Sequence, residues 1–318
     1  MQETHSTNFP KAVRITEVGL RDGLQMESAF VPTATKIRLL NALIDAGVRH
    51  FEASSFVSPR AVPQMRDAAE VLAGITRRAD VTLGVLAPNR RGIERALEAQ
   101  ADEIVVFLSA SESHNQKNLN RSVAESLQDM RDAASLVRGT GVKLKGAIAV
   151  AFGCPFEGNV PLAQIEAIAT QFAELGFDAI TLGDTTGMAT PALVRSTVQR
   201  LRARLPQMPL ALHFHNTRGI GLVNVMEGLA LGITDYESSL AGIGGCPFAP
   251  GASGNICTED TVNLMNELGI ATGIDLARLT AVALDLEQVL GRTLPGQVMR
   301  AGPRLRVHSL ASQAAAVG

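Results

Sequence analysis

Short apolar runs alternate with longer amphipathic ones along the whole chain. The runs Val13–Leu20, His50–Ser54, Val81–Leu86, Glu103–Leu108, Val142–Phe152, Ala179–Asp184, Leu210–His215 and Tyr236–Ile243 are rich in Val, Ile and Leu with little polar alternation. That pattern predicts parallel strands buried on both faces. Between them, Thr33–Ala46, Arg90–Ala99, Ser122–Arg138, Leu162–Leu175, Pro191–Leu205 and Leu222–Leu231 carry helical spacing. Several stop at glycine (Gly47, Gly176, Gly232), and Pro161 and Pro191 stand where helices begin. Repeated β-α units of this number predict a closed α/β barrel, the (β/α)8 TIM barrel with short terminal extensions, over an open doubly wound sheet. The expected organisation is a single catalytic domain over residues 1–318, with a core at about 13–290 and a tail from about 304.

Composition narrows the function classes. The 318 residues suit a barrel of roughly 250 residues with added segments. A formal net charge of −2 offers no electrostatic case for a nucleic-acid or anionic-membrane partner. With no Trp and one Tyr, stacking platforms for bases are not expected either. The three cysteines, Cys154, Cys246 and Cys257, cannot form a disulfide framework. The opening MQETHSTNFPKAVR has no apolar stretch, and no run reaches the roughly 18 apolar residues of a membrane span. A soluble cytoplasmic protein is the expectation.

In such a barrel, chemistry gathers at the C-terminal ends of the strands. There the chain places Glu17 followed by Arg21 and Asp22, Glu52, Asp184, the pair His213 and His215, and a glycine-rich loop holding Cys246 and Asn255. Residues two apart in a strand point to one face, about 7 Å apart at roughly 3.3 Å per residue. Two imidazoles so placed can share a metal ion, with Asp22 and Asn255 the natural partners. The mixed nitrogen and oxygen set suits Mg²⁺, Mn²⁺, Co²⁺ or Zn²⁺. Elsewhere in a protein the same pair is more often a hydrogen-bonded core pair; its position on this rim reverses that preference. Arg21, a fixed cation, suits a developing oxyanion, or else forms an ordinary salt bridge. Glu52 and Asp184 read as anchors for that arginine and the ligands, with direct proton transfer the alternative. Cys246 is either a small inert hydrophobe or a thiol on a glycine-rich loop that reaches substrate on closure; Cys154 and Cys257 are read as structural.

The segments EVGLRDGLQ (17–25), FEASSFVSPRAVPQM (51–65), FGCPFEG (152–158), LGDTTG (182–187), HFHNT (213–217) and GIGGCPFAPGASGN (242–255) resemble the hydroxymethylglutaryl-CoA lyase family. The resemblance runs from about Val13 to beyond Glu267, and the cysteine loop is its most specific piece. The wider superfamily includes isopropylmalate and homocitrate synthases. The resemblance implies a divalent cation, Mg²⁺ or Mn²⁺, on Asp22, His213, His215 and Asn255. It implies that Arg21 stabilises an enolate, that Cys246 transfers a proton, and that Glu52, Asp184 and His213 serve catalysis. Gln25, Ser55 and Thr185 join Arg21 as substrate-binding candidates. The implied partner is an acyl-CoA thioester, and the implied reaction splits 3-hydroxy-3-methylglutaryl-CoA into acetyl-CoA and acetoacetate, in leucine catabolism, by a homo-oligomer (dimer or tetramer).

The chain departs from that family pattern at Asn216, Arg218 and Ile220 after the metal strand, at Met26, and at Ala147. Met26 and Ala147 together are expected to form an apolar wall that admits a larger C3 substituent. Arg218 is expected either to hold the free carboxylate of the acyl chain or to pair with an acid outside the site. Three alternatives stay open: the same chemistry on a 3-hydroxyacyl-CoA with a longer or branched group, a condensing synthase, and a silent barrel used as a binding module.

Overall fold

The computed structural model describes residues 9–245 and 254–307. The first half runs β1 (Arg14–Glu17), α1 (Thr33–Asp45), β2 (His50–Ser55), α2 (Ala68–Gly74), β3 (Thr82–Leu86), α3 (Arg90–Glu98), β4 (Glu103–Ser109), α4 (Glu112–Leu119) and α5 (Val123–Val137). The second runs β5 (Lys143–Ala149), α6 (Leu162–Leu175), β6 (Ala179–Gly183), α7 (Pro191–Arg204), β7 (Leu210–His213), α8 (Gly221–Ala230), β8 (Asp235–Ser238), α9 (Thr258–Glu267), α10 (Leu276–Leu290) and α11 (Val298–Ala301). The strands pair in parallel in sequence order, and β8 returns to β1, closing the barrel.

The predicted helix starts and stops have physical causes in the structure. Ser122 accepts from the Glu125 amide while Glu125 bonds back to Ser122, a capping box that starts α5. Thr190 caps α7 with Pro191 in its first turn, and Gly176 ends α6 in the left-handed region. Several strand expectations ran too long, among them Val142–Phe152, which is strand over Lys143–Ala149, and Leu210–His215, which ends at His213. Val13–Leu20 stops being strand at Glu17, where a π-helical turn, Gly19–Gly23, takes over, and Tyr236–Ile243 ends at Ser238 before a short 3-10 turn. Both breaks occur where the backbone must carry polar groups onto the rim. Helices α2, α4, α9, α10 and α11 were not anticipated. The tail expected from about 304 lies mainly outside the described residues, and Arg304 itself donates to Glu267 at 2.9 Å.

Side-chain parity along β5 separates the two layers of the core. A Cβ on Gly146 would lie 2.4 Å from the ring of Phe172, so this position faces the helices, where Phe172 and Phe177 stack at 4.6 Å. Lys145 and Ala147, one residue to either side, therefore face the barrel interior. Truncating the fully buried Phe172 to Ala would cost about 3–5 kcal/mol.

Candidate active site

The rim is organised first around Glu17. This buried carboxylate accepts from the Gly19 and Leu240 amides at 2.7 and 2.8 Å and from the Thr258 hydroxyl at 2.6 Å, tying the end of β1 to β8 and the start of α9. Burial pushes its carboxyl up to about 7. Gly19 is required by that closeness, since a Cβ there would sit 2.6 Å from Glu17 Oε1. The π-helical turn that follows presents Arg21 and Asp22 in adjacent positions, a device frequent at functional sites.

Arg21 is clamped between two acids. Its Nη1 donates to Asp22 Oδ1 at 2.7 Å, and its Nε pairs with Glu52 at the top of β2. Asp22 Oδ1 also accepts from Gln25 Nε2 at 2.9 Å, so this amide braces the aspartate. Burial would raise Asp22, but Arg21 and the two histidines outweigh it and hold the carboxyl below its ordinary value. Burial dominates at Glu52 and raises it despite Arg21.

His213 ends β7, and His215 lies just beyond it, bridged antiparallel to Asn255. The rings converge so that the two Nε2 atoms are 3.2 Å apart. Two nitrogens bound at right angles to one ion at about 2.1 Å would be about 3 Å apart. Asp22, His213 and His215 offer ligand atoms within 4.8 Å of one another, all three residues buried. Asn255 uses both amide hydrogens, donating to Asp22 Oδ2 at 2.8 Å and to the Ile243 carbonyl at 3.1 Å, while its buried Oδ1 has no partner among the described residues. Gly244, at φ +118, keeps that amide in place, since a Cβ would lie 2.5 Å from Asn255 Nδ2. Burial and then His213 push His215 down to about 3, so its ring is a neutral ligand at ordinary pH. An orphaned amide oxygen, facing imidazole nitrogens and a carboxylate held in its charged form suit a divalent cation.

Asp184 Oδ1 accepts from the Met188 and Ala189 amides at 2.7 and 2.8 Å and so folds the loop after β6. Its buried Oδ2 has no partner among the described residues, and burial pushes the carboxyl up to about 7. The Ser55 hydroxyl accepts from the Val57 amide at 3.2 Å, and that of Thr185 from the Val150 amide at 2.9 Å. Cys246 lies outside the described residues; the chain leaves them at Gly245 and returns at Gly254, immediately before Asn255. Cys154 and Cys257 are buried and free, Cys154 accepting from the Ser111 hydroxyl at 2.9 Å. Burial carries the Cys257 thiol well above its ordinary value, away from thiolate chemistry.

Of the roles expected of Arg218, the pairing with an acid is corrected. Its Nη1 donates to the carbonyls of Thr186 and Gly187 at 3.0 and 2.7 Å, so it pins a backbone loop and pairs with no acid there. Asn216 Oδ1 accepts from the Gly221 amide at the start of α8. Met26 stands exposed on the turn after Asp22. Sequence reasoning missed Lys145 and Glu237, which meet at 2.6 Å inside the barrel beneath His213, and Glu259, whose carboxylate accepts from the Ala241 amide at 2.9 Å. An acid at an inward position of β8 and a lysine at an inward position of β5 were the available signals.

The pattern of the HMGL-like family matches residues 12–286. The hydroxymethylglutaryl-CoA lyase of Bacillus subtilis is 42% identical over 289 residues, 91% of this chain and 97% of that protein. The 3-hydroxy-3-isohexenylglutaryl-CoA/hydroxymethylglutaryl-CoA lyase of Pseudomonas aeruginosa is also 42% identical, over 90% of this chain and 95% of its own. Among solved structures, the HMG-CoA lyase of Acinetobacter baumannii in complex with coenzyme A and 3-methylmalate superposes with a TM-score of 0.90 at 42% identity, over 96% of this chain and 99% of that one. Fold, rim and likeness to these proteins over nearly their full length lead to one assignment: the chain belongs to the HMGL-like family as a carbon–carbon lyase of the hydroxymethylglutaryl-CoA lyase type.

Proposed function

We propose that this protein is a divalent-metal-dependent lyase that cleaves 3-hydroxy-3-methylglutaryl-CoA to acetyl-CoA and acetoacetate. The observation that carries the reading is the convergence of Asp22, His213 and His215 beside the orphaned Asn255 Oδ1, with the clamped guanidinium of Arg21 adjoining them. A Mg²⁺ or Mn²⁺ ion held by these four would supply Lewis acidity that lowers the pKa of the tertiary alcohol.

The chain's own groups divide the remaining work. Arg21, fixed by Asp22 and Glu52, is a preorganised cation for the thioester oxygen, where charge collects as the carbon–carbon bond breaks. Asp184, whose carboxyl burial pushes up to about 7, would take the hydroxyl proton. The enolate carbon then receives a proton from Cys246. Gln25 keeps Asp22 in register, and Ser55 and Thr185 would bind substrate through their hydroxyls. The A. baumannii complex with coenzyme A supports an acyl-CoA as this chain's substrate. We take residues 1–318 as one catalytic domain that works as a homo-oligomer in the cytoplasm, in leucine catabolism; among the described residues no helix is long and apolar enough to cross a membrane. Incubation with the methyl substrate should release acetyl-CoA and acetoacetate in equal amounts. Recovery of the thioester intact, in the presence of Mg²⁺ or Mn²⁺, would refute the reading.

A second reading widens the acyl group. Ala147 faces the barrel interior, is only half-buried and presents a single methyl group. The P. aeruginosa relative carries an isohexenyl substrate in its name. Each extra buried methylene adds about 0.8 kcal/mol to binding. Comparison of kcat/KM between methyl and longer C3 substituents, in wild type and Ala147→Tyr, tests it. A methyl preference above about tenfold that Ala147→Tyr leaves unchanged rules it out.

A further inference from the structure

Four consecutive strands, β5 to β8, each contribute one inward side chain to a buried polar cluster of which the roles above use only His213. Lys145 Nζ donates to Glu237 Oε1 at 2.6 Å, and the Thr181 hydroxyl donates to the same oxygen at 2.8 Å. The other oxygen, Oε2, meets His213 Nδ1 at 3.0 Å. Register sets this up, because His213 and Glu237 are direct partners across β7 and β8. All four residues are buried.

We infer that Glu237, locked by Lys145 and Thr181, is the positioning residue that sets the tautomer and ring orientation of His213. The inference rests on the metal-site reading above. With Oε1 occupied by two donors, Oε2 is the acceptor left for the imidazole. His213 Nδ1 then carries the hydrogen, and its Nε2 presents a lone pair toward His215 Nε2. Metal-ligating histidines commonly gain their orientation and basicity from a carboxylate in this way. Lys145 is needed because Glu237 is buried: the ammonium at 2.6 Å supplies the countercharge that a buried carboxylate requires.

An amide at this position separates a positioning role from a merely structural one. In Glu237→Gln the side-chain oxygen is claimed by Lys145 and Thr181, so the NH₂ faces His213 Nδ1. Nδ1 must then accept, the proton moves to Nε2, and the lone pair that faces His215 is lost. The test uses two readouts on the full-length protein. The first is the imidazole ¹⁵N spectrum of metal-free protein at alkaline pH, where imidazoles are neutral, with His213→Gln as the assignment control. The second is Mn²⁺ affinity from the electron paramagnetic resonance signal of the free ion. Wild type should show His213 protonated at Nδ1. Glu237→Gln should show it protonated at Nε2, with Mn²⁺ affinity about 10–100-fold weaker, and Glu237→Asp, which keeps the acceptor but withdraws it, should fall between. An Nε2-protonated His213 in wild type would overturn the inference even if no Glu237 variant folds, as would unchanged Mn²⁺ affinity in a folded Glu237→Gln. Absence of Mn²⁺ binding in wild type would instead refute the metal-site reading, with the tautomer result still deciding the role of Glu237.

Discussion

The two ends of the barrel carry similar residues and put them to different use. At the N-terminal face, Arg14 pairs with Asp235, and Arg14, Thr16, His50 and Glu103 line a small polar cavity. At the C-terminal rim, Arg21, Asp22, Glu52, His213 and His215 are buried or nearly so, and they point at one another. Both ends lower a histidine by burial first, His50 to about 4 and His215 to about 3. The difference is satisfaction. Asp235 at the bottom has its cation, whereas Asn255 Oδ1 and Asp184 Oδ2 at the top are buried acceptors with no partner among the described residues. Such groups cost about 1–3 kcal/mol each when left unpaired, and that cost marks the end that awaits a ligand. Charge at a strand end is thus weak evidence of function, and buried charge with unused lone pairs is strong evidence.

Mutation at the rim should strike turnover, and mutation at the bottom should not. The largest expected loss is in Cys246→Ala, at about 10²–10⁴-fold in kcat, with substrate binding nearly normal because the thiol acts after bond cleavage. Single-turnover kinetics at saturating substrate checks this, and a kcat near wild type would make the thiol a bystander. Arg21→Met should lower kcat about 10²–10³-fold while Mn²⁺ still binds; loss of both together would show the guanidinium to be structural.

A smaller effect separates buried acids from paired ones. Burial first of all raises Glu259 from 4.5 to about 8, so the folded protein keeps a proton there that the unfolded chain releases. The fold therefore binds more protons than the unfolded chain between those values, and this contribution to stability fades as pH rises from about 4.5 to about 8. Glu259→Gln should flatten the decline of Tm across that window in metal-free protein, and an unaltered slope would exclude Glu259 as its source. The smallest effect belongs to the bottom: Asp235→Asn, breaking an exposed pair, should cost under about 1 kcal/mol by urea denaturation and leave kcat unchanged. A kcat loss there would erase the distinction between the two ends.

Much of the barrel and its rim is legible in the sequence. The run of buried β-type segments, the glycine stops and the prolines at helix starts mark the barrel, because parallel strands and helix ends have local chemical signatures. Asp22, His213 and His215 were found because strand ends in a barrel share one rim. Glu237 and Lys145 escaped because each sits within its strand rather than at the strand's C-terminal end, and the partner that makes each charge tolerable is 92 residues away. Nothing local encodes that pairing. Arg218 escaped for the opposite reason, since a cation invites an acid as its partner, while Nη1 binds backbone carbonyls that no side-chain pattern displays.

The central claim is that the buried rim is a metal-dependent cleavage site built on the two facing imidazoles. Its most direct measurement is Mn²⁺ titration of EDTA-stripped protein, following bound metal and acetyl-CoA release together, in wild type and in His215→Ala. One ion per chain should bind to wild type, with release rising in step with occupancy, and both should be lost in His215→Ala. Cleavage that proceeds in the stripped protein, or a His215→Ala variant that binds Mn²⁺ as wild type does, would contradict the claim.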